Sequence, residues 1–348
     1  MVAQAGTFGR VDPVVALRRI AYLLEAEGAD TYKVRAFRRA AASLAELDPA
    51  RVEELARSGR LTSLPGIGAS TATAVTEALD GAEPAYLSEL LSRAAPAPVG
   101  AAAALRAALR GDCHSHSDWS DGGSPIAEMA EAARDLGHDY WALTDHSPRL
   151  TVAHGLDPAR LRAQLDVVAE LNEKLAPFRI LTGIEVDILE DGRLDQEEDL
   201  LARLDVVVAS AHSKLSMEPG PMTRRLVAAV ESPHTDILGH CTGRKLVGRG
   251  RAPSRFDADA VFSACARTAT AVEINARPER RDPPEALLRR ALELGCLVSI
   301  DTDAHAPGQL EWLTNGCVQA VEADTPIDRI VNAWPLDRLL DWTAGHAA

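Results

Sequence analysis

Two histidines one residue apart open the stretch DCHSHSDWSDG, residues 112–122, and an aspartate nearly closes it. Imidazole and carboxylate are the groups that ligate divalent cations and move protons near neutral pH. One such pair means little by itself. The chain, however, repeats the arrangement at the ends of short apolar runs. LRGDCH ends at His114, with His116 and Asp121 just beyond; YWALTDH ends at Asp145-His146 and FRILTGIE at Glu185. LDVVVASAH ends at His212, TDILGH at His240, and LVSIDTDAH at Asp303 and His305. Only TAVEIN departs, ending in Asn275.

These seven runs alternate with amphipathic helical stretches, of which SPIAEMAEAARDLG is typical, with Ser124 as N-cap, Pro125 at the first helical position and Gly137 as its stop. Continuous apolar strands alternating with helices predict a parallel sheet buried on both faces. Seven strands predict an α/β fold of the (β/α)7 barrel type. In such barrels the functional groups gather where loops leave the C-terminal ends of the strands. One face would then collect His114, His116, Asp121, His146, Glu185, His212, His240, Asp303 and His305. Burying that many ionisable groups together is costly unless cations hold them. Nine donors exceed what one ion uses, so two or three divalent ions are implied, with Glu185 as a bridging, catalytic carboxylate. A donor set of imidazole and carboxylate without thiolate favours Zn, Mn or Fe. Clustered divalent ions suit in-line displacement at phosphorus: they acidify a water and neutralise phosphoryl charge. The remaining histidines, 138, 154, 234 and 346, fall in helix ends, loops and the tail and are read as ordinary polar residues.

The 348 residues carry a net charge of −14, of which 1–95 contribute only −1, with 11 Lys/Arg against 12 Asp/Glu. An acidic body disfavours loose association with nucleic acid but leaves local basic patches open. Five cysteines, odd in number and without a C-x-x-C, suit a reducing compartment. No apolar run reaches the roughly 18–20 residues of a membrane span, and the first residues lack a signal pattern. The expectation is a cytoplasmic enzyme without a membrane or an obligate protein partner.

DCHSHSDWSDG, ALTDHS, GIEVDIL, ASAHS, DILGHCTGR, VEINARPERRD and SIDTDAH resemble, in order, the motifs of the PHP (polymerase and histidinol phosphatase) family. The likeness is to the PHP domain at the C-terminus of bacterial family X DNA polymerases. It implies a distorted barrel with a trinuclear Mn, Zn or Fe site and phosphoesterase chemistry, and every ligand position of the pattern is filled. Near these motifs, Arg244, Lys245, Lys214 and Arg280 are candidates to clamp a substrate phosphate; the alternative for each is a solvated loop charge. Cys113 and Cys241 neighbour ligands but are expected to line the barrel wall.

Ahead of the barrel the pattern is helical throughout, and an Ala/Pro-rich stretch at 94–107 reads as a linker running into a short helix. The expected domains are therefore 1–93, the linker 94–107, and a barrel over 108–348. LPGIG at 64–68 has the form of a helix-hairpin-helix, in which Gly66 and Gly68 let backbone N–H groups approach a nucleic-acid phosphate. With TYKVRAFRRAA it resembles the N-terminal 8-kDa domain of family X polymerases, which makes Lys33, Arg35, Arg38 and Arg39 candidates to face DNA phosphates. The polymerase body that separates the two domains in that family is absent, and ASTATAV, 69–75, holds no lysine for lyase chemistry. The predicted activity is a metal-dependent phosphoesterase on DNA ends or damaged DNA, as a 3′–5′ exonuclease or 3′-end processor. The alternatives are a small-ester phosphatase of the histidinol-phosphate type, or a DNA-structure-binding protein with an idle barrel.

Overall fold

Asp12 explains why the first helix begins where it does: its carboxylate accepts from the amides of Val14 and Val15, and Pro13 follows at the first turn. A computed structural model describes residues 11–94 and 98–346, and packing divides them into two compact units, one on either side of residues 95–97.

The first unit is all helical, with α1 (Pro13–Ala26), α2 (Thr31–Ala45), α3 (Pro49–Arg57), α4 (Ala69–Leu79) and α5 (Ala85–Arg93). Asp30 and Asp48 cap α2 and α3 as Asp12 caps α1. Its core joins Leu17, Ile20, Leu24, Phe37, Leu44, Val75 and Leu90. Each large apolar side chain buried this way contributes about 1.5–3 kcal/mol, which lets five short helices hold together.

The second unit is a sheet of seven parallel strands in sequential order: β1 (Gly111–Asp112), β2 (Tyr140–Leu143), β3 (Arg179–Asp187), β4 (Val206–Ser210), β5 (Ile237–Leu238), β6 (Ala271–Asn275) and β7 (Val298–Asp301). Six of them lie within the apolar runs read from the sequence, and β3 continues two residues beyond FRILTGIE, to Asp187. The helices are α6 (Gly100–Ala108), α7 (Ile126–Asp135), α8 (Pro158–Leu175), α9 (Glu198–Leu201), α10 (Pro219–Val230), α11 (Ala258–Thr268), α12 (Glu285–Glu293), α13 (Leu313–Glu322) and α14 (Leu336–Ala344). The sheet curls until β1 nearly meets β7. At the ligand end the His116 amide donates to Ala304 O and the Asp303 amide to His114 O. At the other end Asn332 fills the gap: its amide donates to Gly111 O and Ile300 O and accepts from the Ile300 N–H. Between these ends the Cys113 amide donates to Asp301 Oδ1 and the Thr302 amide and hydroxyl donate to Asp112, so side chains close the seam where an eighth strand would stand.

The short helix expected at the end of the linker is α6, which takes up much of the 94–107 stretch, and Leu105 packs with Ile300, Leu313 and Cys317. An alanine-rich stretch of high helix propensity needs only one apolar stripe to dock. Helix α7 starts one residue later than the caps suggested, because Pro125 keeps an extended ψ of 154° as the N-cap and the Ser124 hydroxyl makes no cap.

Candidate metal centre

The C-terminal ends of the strands converge on Glu185. This residue of β3 is buried, and five imidazole nitrogens surround its carboxylate. His146 Nδ1 lies 2.8 Å, His114 Nε2 3.4 Å and His116 Nε2 3.5 Å from Oε2. His240 Nε2 lies 2.9 Å and His212 Nε2 3.1 Å from Oε1. None of these contacts has hydrogen-bond geometry, and both oxygens, like His114 Nε2, His116 Nε2, His212 Nε2 and His240 Nε2, are buried with no hydrogen-bond partner. Orphaned buried polar atoms are expensive. Lone pairs of nitrogen and oxygen aimed at shared points are the arrangement that cations satisfy.

A second group sits beside the first. Asp121 Oδ1 is 3.4 Å from His146 Nε2 and 3.3 Å from His305 Nε2, and Asp303 Oδ1 is 3.5 Å from His116 Nε2. Three overlapping sets could each hold an ion: His116, Asp121, His146 and His305; His114, His116 and Glu185; His146, Glu185 and His212. His240 and Asp303 stand within reach of these sets through Glu185 and His116. All nine residues expected as ligands are thus brought together.

The loop DCHSHSDWSDG is built to aim Asp121. Asp145, at the end of β2, accepts from the Ser117 amide and hydroxyl, the Ser120 hydroxyl and Gln164 Nε2. The two serines thus bind the loop to the neighbouring strand. Gly122 is required there, since a Cβ would stand 2.6 Å from the Ser117 carbonyl.

Behind the donors lies a layer that the strand-end pattern did not reveal. Glu273, buried in β6, accepts from His114 Nδ1 at 2.5 Å and from the His240 amide at 2.5 Å. This fixes the His114 tautomer and turns Nε2 toward Glu185. Asp187 accepts from the His212 amide at 3.0 Å and sits 3.3 Å from its Nδ1. Asn275 donates toward both Glu273 and Asp303. The strand that broke the rule therefore supplies support rather than a ligand. Its signal was available: Glu273 and Asn275 stand two apart in an apolar strand and so share a face, as Glu185 and Asp187 do in β3.

The charges are strongly coupled. Burial opposes ionisation of Glu185, yet His212, His114 and His146 hold its carboxyl well below the usual range. Burial also opposes the charged form of His114, but Glu273 and Glu185 outweigh it and raise its pKa. In His116 burial dominates, with His305 and His146 adding to it, and its pKa falls well below that of free histidine.

The expected clamp residues separate. Lys214 is 63% exposed, with its ammonium 3.9 Å from Glu190, and does not join the site. Its backbone is left-handed, with φ 55°. Arg244 is spent on the backbone: its guanidinium donates to Arg280 O at 2.9 Å and to Arg281 O, which positions the 277–282 loop. Arg280 is the better placed cation. It is 11% exposed, its Nε donates to Asp303 Oδ2 at 3.0 Å, and its Nη1 is buried with no partner. Cys113 and Cys241 lie in the apolar packing of the barrel, and all five cysteines are free and buried.

In the helical unit Gly66 takes φ 81°, and a Cβ there would approach Arg39 Cβ at 3.3 Å. The hairpin therefore lies on α2 beside Arg39, and the Ser43 hydroxyl donates to Pro65 O. Gly68 is the N-cap of α4, and a Cβ there would meet nothing. Arg35 and Arg39 are exposed, as is Lys33, whose ammonium lies over the Tyr86 ring. Arg38 leaves the group: its Nε and Nη2 each donate at 2.8 Å to the buried Glu25. The α2 face that carries Phe37 and Ala41 turns it toward α1.

Residues 11–83 match a helix-hairpin-helix domain family and residues 112–244 the PHP domain family. The DNA polymerase/3′-5′ exonuclease PolX of Bacillus subtilis (strain 168) is 42% identical over 225 residues, 65% of this chain and 39% of that protein. The chain thus spans well under half the length of this relative. A protein named "Probable phosphatase" from Thermoanaerobacter sp. (strain X514) is 30% identical over 207 residues, 56% of this chain and 78% of that one. The crystal structure of histidinol phosphate phosphatase from Lactococcus lactis, complexed with zinc, L-histidinol and phosphate, superposes with a TM-score of 0.44 at 17% identity, covering 62% of this chain and 93% of that one. Among the described residues no helix is long and apolar enough to cross a membrane.

Proposed function

Since the chain belongs to the PHP family and is a hydrolase of phosphate esters, we propose that its barrel holds two or three zinc, manganese or iron ions and trims or processes 3′ ends of DNA. The observation that carries the metal assignment is Glu185, ringed by five imidazole nitrogens and hydrogen-bonded to none. His114, His116, Asp121, His146, Glu185, His212, His240, Asp303 and His305 are the proposed ligands. When bound, such ions supply an acidified water and neutralise charge on the phosphoryl oxygens.

The chain's own groups do the rest. Glu185 spans the sets and holds them in register. Arg280 presents its free Nη1 to a phosphoryl oxygen, as a planar guanidinium does well. Arg244 holds the loop that carries Arg280. In the helical unit the hairpin amides with Lys33, Arg35 and Arg39 take the DNA backbone without reading sequence. The helix-hairpin-helix match and the likeness to an exonuclease support DNA over a small ester. A second reading, a phosphatase of small monoesters, is favoured by the 78% coverage of the Thermoanaerobacter protein.

One experiment separates the two. Protein loaded with Mn²⁺ is given 5′-labelled single- and double-stranded oligonucleotides, with Glu185→Ala alongside. A ladder shortening from the 3′ end, absent in the variant and suppressed by salt, is the expected result. Intact DNA with continued release of phosphate from small esters would transfer the assignment to the phosphatase.

A further inference from the structure

Three residues after the β5 ligand His240, the chain leaves the barrel mouth as a small hairpin that no part of the metal chemistry uses. Lys245 and Arg251 pair, each amide donating to the other's carbonyl, at 3.0 and 2.9 Å. The Gly250 amide closes the tip onto Val247 O at 3.1 Å, with Gly248 and Gly250 in left-handed backbone. The Leu246 amide donates to Glu279 O at 2.7 Å. The hairpin is thereby fastened to the 277–282 loop, whose Arg277 and Arg280 touch Asp303.

Its composition is unusual for this chain. Residues 241–256 hold five cations and no acid, in a protein of net charge −14. Among the described residues no carboxylate lies within ion-pairing distance of Lys245 or Arg249. Burial and then repulsion from Arg280 lower the pKa of both Lys245 and Arg251, against the pull of Glu279 on the first and Asp282 on the second. At the tip, Leu246 and Val247 are 55% and 61% exposed. Single exposed aliphatics are ordinary. Two in succession on a glycine-turned tip, with cations on both sides, are not a solvated loop. They are also too few to dock a protein, since specific interfaces bury about 1,000 Å² or more.

Phosphate-binding flanks around a short aliphatic tip fit the end of a DNA duplex. We propose that the 245–251 hairpin is a wedge: Leu246 and Val247 insert against the terminal base pair, the cations hold the backbone, and the freed 3′ strand enters the barrel mouth. Aliphatic side chains are used elsewhere to part stacked bases at a cost of a few kcal/mol per step, offset by phosphate contacts. The inference rests on the DNA reading above and adds what the hairpin does for it.

The test uses the full-length protein and the double variant Leu246→Ser/Val247→Ser, with melting temperature as the control for folding. A blunt duplex carrying 2-aminopurine at its 3′ terminus is bound by the full-length protein in a Glu185→Ala background, where loss of the central carboxylate stops cleavage. Fluorescence rises with the native tip and stays at the free-duplex level with the serine tip. In the cleaving background the serine tip slows blunt-duplex digestion by on the order of tenfold, leaves single-strand digestion unchanged, and is rescued by a mismatched 3′ terminus. No fluorescence change with the native tip, or equal loss on single and double strands, overturns the wedge. If DNA is not cut but fluorescence rises in a tip-dependent way, the nuclease reading falls and the wedge stands. If DNA is cut and the tip is irrelevant, the reverse holds.

Discussion

Glu273→Gln isolates the layer behind the metal donors. The carboxylate accepts two strong hydrogen bonds, from His114 Nδ1 and the His240 amide, and takes a longer one from Asn275 at 3.2 Å. Glutamine keeps the shape but offers one acceptor oxygen and an NH₂. Its NH₂ then faces either His114 Nδ1 or the pair of donors at the other oxygen, the His240 amide and Asn275, and opposes what it faces. Hydrogen bonds to a charged group contribute about 1.5–3 kcal/mol each, and one such bond is lost. At about 1.4 kcal/mol per decade this weakens whatever His114 and His240 hold by roughly 10- to 100-fold. The assay is a competitive titration of divalent metal against a chromophoric chelator, with far-UV dichroism confirming the fold. Metal affinity should fall by that factor, and hydrolysis at limiting metal should fall in parallel and recover at excess. If Glu273→Gln binds metal within twofold of the native protein while folded, the assignment of His114 Nε2 and His240 as donors is refuted.

Other outcomes follow from the same geometry. Chelation should lower the melting temperature, because ions bound at a thousandfold over Kd stabilise by about 4 kcal/mol; a melting temperature indifferent to chelation and refilling would contradict the site. Arg38→Ala removes the two guanidinium hydrogen bonds to the buried Glu25 carboxylate and should destabilise the helical unit by about 3 kcal/mol, seen in denaturant unfolding, with barrel activity on small esters unchanged. His138 is held neutral by burial and then by Arg106, with a pKa lowered to about 3. The unfolded chain takes up a proton near pH 6.5 and the folded one only near 3, so stability is lost as pH falls between them, by about 2 kcal/mol at pH 5. His138→Gln should flatten that part of the stability–pH profile relative to the native protein; parallel profiles would show the ring titrating freely.

The nine proposed ligands were legible because a strand has a strict period and a strict end. A histidine or acid closing an apolar run can only stand at the barrel mouth, and its type states its chemistry. Glu273 and Asp187 obey the same period, but what they do depends on which ring they meet. His114 and Glu273 are 159 residues apart, joined only by the closing of the sheet, and no local pattern carries that pairing. Loop and helix cations failed for a different reason. Arg244 follows a ligand by four residues, and nearness in sequence correctly placed it beside the site, yet a loop has no period to say which way a side chain turns. It turned to carbonyls, and Arg280, on the next loop, was left with the free nitrogen. Arg38 differs from Arg35 and Arg39 only in which neighbour lies beneath it, and that neighbour is Glu25 on another helix. Charge type is written locally, whereas charge direction belongs to the assembled fold; the reliable part of a sequence reading is therefore the part carried by strands.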